Sequence, residues 1–479
     1  MSSTDRRWLA LITLCSGTLM IVLDATIVNV ALPDISADLG FSPSGLSWVV
    51  NAYLIAFGGL LLLAGRLGDL LGQRRVFLCG LAVFVVASLA CAIAPAPSFL
   101  VAARLVQGVG GAFTSAVVLG MIVSLFPEPA EQAKAIGVYG FVASSGGSIG
   151  LVAGGVLTSA LDWRWIFLVN VPVGVATWVA TLRYVDPQRP TTAGRRADTT
   201  SAALLTAGLM TGVYTIVEVT QRPFGSTATT AALAIALLVG FVVRQAGAAE
   251  PLLPLRLFRS RTVTGANAVQ GLLVVGMFGT FFLGALYFQD VRGYGPLQIG
   301  LAFLPSTVAM GLMSLRFAGD VTRRFGVHRT LILSLVLLSV GLVLLSRVPA
   351  GGAYVVDVAP ALVLTGLGAG LGFPALTGMA MSAATPADSG VASGLYNTTV
   401  QVCGAVGLAV LSSLSTGRTH HLVVGGADPT SALVGGYDVA FLVAAGAAVA
   451  AAGLAIGVLR PRSVEAEPIP ERDLVAESA

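Results

Sequence analysis

Long apolar stretches separated by short polar segments run along almost the whole chain. A helix that crosses a membrane needs about 20 mostly apolar residues, and by that criterion the sequence predicts fourteen transmembrane helices. Their predicted ranges are 8–32, 47–64, 76–94, 98–126, 134–160, 164–183, 200–220, 228–247, 263–289, 296–318, 328–346, 357–383, 389–412 and 437–459. The pattern therefore predicts an all-α polytopic membrane protein.

The composition supports this interpretation and excludes a soluble protein. The chain has 479 residues, of which 56% are hydrophobic and only 10% are charged, whereas a soluble protein carries about 25% charged residues. The net charge of +4 does not indicate a nucleic-acid partner, because the basic residues lie in short clusters between apolar stretches, where they orient membrane spans. We therefore expect the lipid bilayer, and no nucleic acid, among the partners.

The distribution of basic residues predicts an orientation. Most of the 27 lysine and arginine residues fall on the cytoplasmic side if the N-terminus is cytoplasmic, as the positive-inside rule requires. Both termini are then cytoplasmic. Lys134 is the only lysine and the chain has 58 glycines, which favours a GC-rich bacterial genome and hence the bacterial cell (inner or plasma) membrane.

The sequence does not support catalysis or cofactor chemistry. The four cysteines all lie inside apolar stretches, so their spacing predicts neither a disulfide framework nor a metal site. The sequence has no nucleophile–base arrangement and no phosphate-binding Gly-Lys-Ser/Thr loop. We therefore expect a protein that is not an enzyme, holds no cofactor or metal and does not draw its energy from ATP.

A charged segment between the second and third predicted spans occurs twice. The first copy contains one acid among three arginines and three glycines, in the order Gly65-Arg66-Leu67-Gly68-Asp69-Leu70-Leu71-Gly72-Gln73-Arg74-Arg75. A degraded copy reads Gly319-Asp320-Val321-Thr322-Arg323-Arg324-Phe325-Gly326, with Arg323 where the first copy has Asp69. The preceding segments match as well, as Gly40-Phe41-Ser42-Pro43 and Gly293-Tyr294-Gly295-Pro296. The sequence therefore predicts two homologous bundles.

Matching the two copies leaves the seventh and eighth spans as an insertion between the halves. We expect an N-terminal six-helix bundle over 1–185, a linker and two inserted helices over 186–250, a C-terminal six-helix bundle over 251–460 and a disordered cytoplasmic tail over 461–479. The linker begins with a polar, proline-containing stretch, and the tail from Ser463 onward is acidic and contains two prolines.

Four motifs together resemble the major facilitator superfamily, specifically its fourteen-span drug:proton antiporter family, over nearly the whole chain. They are the segments 23–33, 65–75 and 104–111 and the fifth-span glycine series, Gly137, Gly146, Gly150, Gly154 and Gly155. The stretch WRWIFLVNVPVG at 163–174 adds a further match. The resemblance implies the major facilitator fold, with two six-helix bundles plus two inserted helices. One departure is Leu151, which stands where the antiporter motif usually has proline and removes the basis for a proline kink there.

Asp24 and Arg104 are the candidate proton-coupling residues. Asp24 lies about 12 Å from the outer end of its span and Arg104 about 9 Å into the fourth span, at 1.5 Å per residue, so the two can pair if their spans face one cavity. Burial disfavours an unpaired carboxylate and favours proton uptake, which the permanently charged Arg104 would tune. The alternatives are an acid satisfied by neighbouring hydroxyl or backbone groups, and a permanent ion pair that only holds the bundle together.

The first charged segment is expected at the cytoplasmic membrane surface. We expect a gating role for its charged and glycine positions, Gly65, Arg66, Gly68, Asp69, Gly72, Arg74 and Arg75. The charges would latch the cytoplasmic side, and the glycines would permit close approach of a facing helix. The alternative, topology signalling by the arginines alone, explains neither Asp69 nor the glycine spacing.

Other polar and small residues inside the spans have candidate roles. Gly146, Gly150 and Gly154 recur every four residues and predict a groove for helix packing, with a role in coupling as the alternative. Glu218 is expected at the membrane interface, with proton or cation binding as the alternative. Candidates for a substrate cavity are Asn51, Tyr53, Gln107, Asn267, Gln270, Asn397 and Gln401.

Together these observations predict a monomeric transporter that exports lipophilic or amphipathic drugs or antibiotics in exchange for protons, by alternating access. The proton gradient would be the energy source. Uptake or uniport of a small solute is the alternative within transport, but the cavity candidates carry few charges. A membrane sensor that does not transport is the alternative from another class, and it would normally carry a soluble signalling module.

Overall fold

A computed structural model of the protein describes residues 3–42, 45–187, 198–218, 224–248, 251–252, 258, 260–349, 351–382 and 389–459. Within these ranges every regular element is helical. Thirteen of the described helical segments are long and apolar enough to cross a membrane, and Ile149–Ala160, the C-terminal part of a longer helix, is a shorter apolar segment. The expected disordered tail over 461–479 lies outside the described residues, as does most of the expected linker.

The N-terminal half contains the helices α1 (Ser3–Leu39), α2 (Trp48–Leu71), α3 (Gln73–Ala92), α4 (Pro97–Leu125), α5 (Pro129–Ala160), α6 (Trp165–Leu168) and α7 (Asn170–Tyr184). The sixth predicted span is thus divided into α6 and α7. Pro172 lacks the N–H that would bond to the carbonyl of Leu168, which explains why the helix is interrupted between them.

Two inserted helices, α8 (Thr199–Glu218) and α9 (Phe224–Gly247), precede the C-terminal half. That half contains α10 (Arg261–Leu286), α11 (Pro296–Ala302), α12 (Leu304–Leu312), α13 (Ala318–Phe325), α14 (Val327–Leu345), α15 (Ala359–Ser382), α16 (Ser389–Val424) and α17 (Pro429–Val458). Short π-helical turns occur at Tyr287–Val291, Met313–Phe317 and Tyr354–Val358. Each of the fourteen predicted spans corresponds to one or more of these helices.

The two halves repeat one packing pattern. In the N-terminal half α1 packs against α5 and α7, α3 against α4 and α7, and α2 against α4. In the C-terminal half α10 packs against α16 and α17, α14 against α15 and α17, and α12 against α15. The halves meet where α5 contacts α11 and α12, where α2 contacts α16, and where α1 contacts α10 and α11.

Four glycines in the left-handed backbone region mark equivalent turns in the two halves. Gly40 follows α1 with φ 71°, and Gly293 follows the π-helical turn after α10 with φ 66°. Gly72 separates α2 from α3 with φ 95°, and Gly326 separates α13 from α14 with φ 81°. Such φ values are accessible to glycine without steric cost, so these positions of the repeat require this residue type.

The first charged segment, which was placed between the second and third predicted spans, is mostly helical. Helix α2 continues to Leu71 and α3 begins at Gln73, so Gly72 alone forms the connection. The degraded copy is built in the same way, with α13 ending at Phe325 before Gly326. The polar residues end the apolar stretch but not the helix, because the backbone hydrogen bonds of α2 continue through them.

The inserted hairpin lies against the contact between α2 and α16. Helix α8 packs on α9, on α2 and on α16, and so touches both halves. Its contacts include the hydroxyl of Ser413, which donates to the carbonyl oxygen of Ile216 at 2.8 Å, and the ring of Tyr214, 6.5 Å from that of Trp48. The insertion is thus packed on the outside of the two bundles.

Candidate proton and substrate site

Asp24 and Arg104 form a fully buried ion pair inside the N-terminal half. The Arg104 guanidinium donates to Asp24 Oδ2 at 2.5 Å, and both side chains are 0% exposed. Helix α1 supplies the carboxylate and α4 supplies the guanidinium. The structure therefore brings together the two charged residues that were expected at similar depth.

The other carboxylate oxygen, Asp24 Oδ1, accepts hydrogen bonds from two amides. Gln107 Nε2 on α4 and Asn170 Nδ2 on α7 each donate to it at 2.8 Å. Gln107 also donates to the hydroxyl of Ser88 at 2.8 Å, and Asn170 Nδ2 lies 3.5 Å from that same oxygen. We call Asp24, Arg104, Gln107, Asn170 and Ser88 the Asp24 cluster.

Arg104 has further contacts that do not depend on Asp24. Its Nε donates to the backbone carbonyl of Val49 at 2.9 Å, and its NH1 donates to Gln107 Oε1 at 2.6 Å. The guanidinium carbon lies 4.3 Å from the centre of the Tyr53 ring and 5.7 Å from that of Phe167, within the range of cation–π attraction. The arginine is thus supported by α2, α4 and α6 as well as by the acid.

A close contact between α2 and α4 positions this arrangement. A Cβ atom on Gly108 would overlap the carbonyl oxygen of Tyr53, so only glycine permits this helix approach. Gly108 follows Gln107 directly, so the contact fixes the height of both amide and guanidinium on α4. Gln107 was expected in a substrate cavity; the structure places it in the Asp24 cluster, fully buried.

Asn170 is the cluster member that sequence reasoning missed. It is the first residue of α7, directly after the interruption that Pro172 explains, and is 2% exposed. Two other residues of its segment hold the C-terminal end of α1: the indole of Trp163 donates to Asp38 Oδ2 at 3.0 Å, and Arg164 pairs with that oxygen at 2.9 Å. The signal was present in the stretch 163–174, which resembled the fourteen-span family without a chemical role.

The remaining cavity candidates fall into different environments. Asn51, Tyr53 and Gln270 are buried, and the two amide side chains and the Tyr53 hydroxyl have no hydrogen-bond partner among the described residues. Asn267 accepts a hydrogen bond from Thr399 at 3.0 Å. Gln401 packs at the contact between the halves, where its Cβ would lie 2.8 Å from a Cβ on Gly58, and Asn397 is exposed on α16.

The residues of the first charged segment are not equivalent. A Cβ on Gly68 would lie 2.6 Å from Val117 on α4, whereas Gly65 has no neighbour within 4 Å and Gly72 forms the turn. Arg74 donates to the carbonyl of Leu182 at the end of α7, at 2.8 Å. Close approach is therefore a property of Gly68 and not of Gly65.

The charged residues of the expected gate differ in exposure, and the second copy contains an acid–base pair of its own. Arg66 is half-buried and Arg75 is exposed, while the side chain of Asp69 lies outside the described residues. In the second copy Arg323 donates to Asp320 within α13. When the two copies are aligned, Arg66 corresponds to Asp320 and Asp69 corresponds to Arg323. The second copy therefore also has one acid and one base at these two positions, but in the opposite order.

The fifth-span glycines make two different helix contacts. Gly146, Gly150 and Gly154 face α1, where added Cβ atoms would clash with Val22, Thr26 and Ile27 respectively. Gly155 faces the other half, and its Cβ would lie 2.8 Å from the carbonyl oxygen of Pro296 on α11. The surroundings of Gly137 lie outside the described residues.

Leu151 takes part in the same contact between the halves. Its carbonyl oxygen would lie 2.6 Å from a Cβ on Gly300, and its side chain is 2% exposed. Helix α5 runs through this position without interruption, as expected when the usual proline is absent. Glu218 is the last residue of α8 and therefore belongs to the inserted hairpin.

Comparison with protein families gives a match over most of the chain. The sequence profile described as Major Facilitator Superfamily matches residues 14–408. The chain belongs to the Major Facilitator Superfamily. It is accordingly a transporter and a multi-pass membrane protein, as its helices also indicate.

Two relatives are similar over most of their length. The puromycin resistance protein pur8 of Streptomyces alboniger is 36% identical over 470 residues, covering 96% of this chain and 93% of that protein. The cephamycin export protein CmcT of Amycolatopsis lactamdurans is 37% identical over 422 residues, covering 87% of each. The relatives of this transporter thus include antibiotic resistance and export proteins.

Solved structures show the same fold. A bacterial homologue of the human lysosomal transporter Spinster, in an inward-facing and unoccupied conformation, superposes with a TM-score of 0.66 at 14% identity, covering 94% of this chain and 96% of that one. The human organic anion transporter MFSD10 gives a TM-score of 0.64 at 15% identity, covering 94% and 99%. At such low identity these structures support only the fold of the transporter.

Proposed function

We propose that this transporter exports an amphipathic antibiotic or drug in exchange for protons, by alternating access, with Asp24 as the proton-binding group. The observation that carries the proposal is the buried Asp24–Arg104 pair with its two amide donors. A buried pair of opposite charges is weak support for a purely stabilising role, and an acid inside a membrane protein is a functional candidate by default.

The contacts of Arg104 supply a reason why Asp24 can change its charge. When Asp24 takes up a proton, the guanidinium loses its counter-ion. It keeps the carbonyl of Val49, the amide oxygen of Gln107 and the face of the Tyr53 ring. These neutral partners stabilise an isolated cation that would otherwise be costly to bury, so the cluster is compatible with both charge states of the acid.

The substrate would bind between the halves, near the polar groups without protein partners. Buried polar atoms are almost always hydrogen-bonded, so the amides of Asn51 and Gln270 and the hydroxyl of Tyr53 are candidates for contact with substrate or water. Tyr53 also lies over Arg104. A ligand that displaced the ring would therefore affect the ion pair directly, which would couple the release of a proton to the binding of substrate.

The class of substrate is inferred from the relatives. Those most similar include proteins named for puromycin resistance, cephamycin export and tetracenomycin C resistance and export. These names refer to three different antibiotics, so we commit to an amphipathic antibiotic and to no single compound. In this proposal the protein is a monomer with both termini in the cytoplasm, the first charged segment gates the cytoplasmic side, and the proton gradient supplies the energy.

The test begins with growth of a drug-sensitive bacterial host that carries the intact gene, measured across a panel of antibiotics. For a compound to which the gene confers resistance, we expect uptake into inside-out membrane vesicles driven by an imposed pH gradient. Asp24→Asn should abolish this gradient-driven flux while leaving the protein in the membrane, because an amide cannot carry the proton.

Asp38→Asn is the matched control, because Asp38 lies on the same helix and is paired with Arg164 but is about half exposed. It should retain gradient-driven flux. Full gradient-driven flux in Asp24→Asn would rule out the proposed coupling. Gradient-driven accumulation in right-side-out vesicles alone would contradict export and favour uptake.

A further inference from the structure

The three hydrogen bonds to Asp24 come from two different helices. Arg104 and Gln107 both belong to α4, whereas Asn170 belongs to α7. Any displacement of α4 relative to α1 therefore removes two donors together and leaves the third. The bond from Asn170 differs from the others in this respect.

Helix α7 and its preceding segment are tied to α1 at a second level. Trp163 and Arg164 both bind Asp38, which lies on α1 between Asp24 and the C-terminal end of the helix. Farther along α7, the methyl group of Thr177 would lie 3.7 Å from a Cβ on Gly17 of α1. Contacts on both sides of Asn170 thus hold its amide against α1 independently of α4.

We propose that Asn170 is a positioning residue that holds the Asp24 carboxylate through its amide and thereby sets the pH at which Asp24 exchanges its proton once Arg104 has moved away. An amide N–H donates to an ionised oxygen and stabilises the charged form over the neutral one. Asn170 does not titrate, so its contribution is constant across the pH range. Its importance for transport rests on the proposed function, in which Asp24 carries the coupled proton.

Among the described residues, the charged and titratable side chains around Asp24 come from three other helices. They are Arg104 on α4, Tyr53 on α2 and the thiol of Cys91 on α3, whose Sγ lies 3.6 Å from Gln107 Oε1. On the remaining sides α5 presents Gly146 and Gly150 to α1, and α6 presents the Phe167 ring to Arg104. Asn170 is therefore the polar contact on the α7 side of the carboxylate.

The proposal is tested by titrating Asp24 directly in the purified full-length protein. The readout is the infrared C=O stretching band of a protonated carboxylic acid, restricted to the part that disappears in Asp24→Asn. Asn170→Leu keeps the number and branching of the side-chain heavy atoms but has no donor. We expect its band midpoint to move to higher pH by about one unit, an approximately tenfold rise in proton affinity, because hydrogen bonds to charged groups are among the stronger ones.

Thr177→Val is the matched control. Thr177 lies two turns farther along the same face of α7 and is 4% exposed, so the substitution removes a buried hydroxyl of that helix at a position away from Asp24. Its midpoint should stay at the wild-type pH. If Asn170→Leu does not fold, the nearly isosteric pair Asn170→Val and Asn170→Thr replaces it, and the valine variant should titrate at higher pH than the threonine variant, which keeps a donor.

Equal midpoints in Asn170→Leu and Thr177→Val, or in the valine and threonine variants, would overturn the proposal. A merely structural role of Asn170 would lower the yield or the thermal stability without moving the midpoint. Failure of the proposed function is detected in a different measurement, the vesicle flux assay, where it would appear as intact gradient-driven flux in Asp24→Asn. When both hold, the pH profile of transport by Asn170→Leu should shift in the same direction as the band.

Discussion

The two halves of the transporter share one helix contact but differ in the chemistry beside it. In the N-terminal half Gly108 of α4 packs against the carbonyl of Tyr53, and in the C-terminal half Gly366 of α15 packs against the carbonyl of Ser306 in the same way. The next contact repeats too, since Gly110 approaches the backbone of Phe84 as Gly368 approaches that of Leu338. The backbones of the halves therefore match closely at this depth.

The side chains at the matched positions are charged in one half and neutral in the other. When Gly108 is aligned with Gly366, Arg104 and Gln107 correspond to Leu362 and Thr365. When Gly40 is aligned with Gly293, Asp24 corresponds to Met277. In the C-terminal half Met277, Ser306 and Thr365 line a small cavity, and the two hydroxyl oxygens lie 3.5 Å apart. No charged side chain lines this cavity among the described residues.

The difference teaches that this packing does not need charges. The C-terminal half builds the same helix contacts with Leu362 and Met277, as expected if a buried ion pair can be replaced by well-packed apolar groups without loss of stability. The charges of Asp24 and Arg104 therefore call for a reason other than folding. Proton coupling, as proposed above, is such a reason, and it would make the N-terminal half the proton-binding half.

The sharpest way to break this comparison is to remove one charge of the buried pair. Arg104→Leu copies the residue of the C-terminal half and leaves Asp24 buried without its counter-ion. We expect the free energy of unfolding to fall by about 3–5 kcal/mol, measured by denaturant unfolding of the purified protein in detergent. Replacing Asp24 by Leu as well should recover most of that loss.

Leu362→Met serves as the control on the opposite half, where a volume-conserving apolar exchange should cost less than about 1.5 kcal/mol. A double variant as unstable as Arg104→Leu alone would mean that the charges stabilise the fold. The apolar residues of the C-terminal half would then not indicate which substitutions of the charged pair the N-terminal half can accept without loss of stability.

A second experiment sharpens the structural side of the comparison. Gly108→Ala and Gly366→Ala each place a methyl group against a backbone carbonyl, so each should destabilise the protein by about 1–3 kcal/mol. Gly446→Ala on α17 is the control; it meets nothing within 4 Å and should stabilise by up to about 1 kcal/mol because alanine favours the helix. Tolerance of Gly366→Ala alone would show that the halves are packed differently.

The smallest effect is expected at an ion pair in the inserted hairpin. Asp198 lies just before α8 and accepts hydrogen bonds from Ser201 and Arg244. Burial alone disfavours its charged form, but the hydrogen bonds from Ser201 and the hydrogen bond and charge of Arg244 outweigh it and hold the pKa of Asp198 below its usual 3.8. Because the folded-state pKa is depressed, this stabilisation is present above the unfolded pKa and is lost as the pH falls through the folded pKa.

Asp198→Asn should therefore lower the free energy of unfolding by only about 0.5–1 kcal/mol at pH 7, since Arg244 is half exposed and solvent screens the pair. The difference from wild type should narrow below about pH 4. Asparagine can still cap the helix, so the substitution isolates the charge. A loss comparable to that of Arg104→Leu would contradict the distinction between exposed and buried pairs.

The membrane fold and the depth of the charged groups followed from the sequence, while the direction of side chains did not. A charge is costly in hydrocarbon whichever way it points, so hydropathy and the rise per residue were enough to place Asp24 and Arg104 at similar heights. Gln107 was assigned to a cavity and Asn170 to no role, because hydropathy reports depth along a helix but not rotation about it. Their contacts depend on how α4 and α7 are turned toward α1.

The charged segment between α2 and α3 shows the same limit at a helix end. Its polar residues correctly marked where the apolar stretch stops, but the helix continues to Leu71. Hydropathy depends on side-chain polarity and therefore does not show where the backbone hydrogen bonds of a helix end. The glycines there looked alike in sequence. Only their surroundings separate Gly68, which faces Val117, from Gly65, which faces open space.

The sequence by itself determined that this is a duplicated helical membrane protein with an inserted pair of helices, and that an acid and a base lie buried at one depth. These conclusions rest on the free-energy cost of placing polar groups in the bilayer. That cost depends on the type of each residue and can be assessed from the sequence alone. The tertiary structure decided which side chains complete the Asp24 cluster, and that the C-terminal half repeats its helix contacts without its charges. Those outcomes depend on helix rotation and on close backbone approach, which are properties of several helices together.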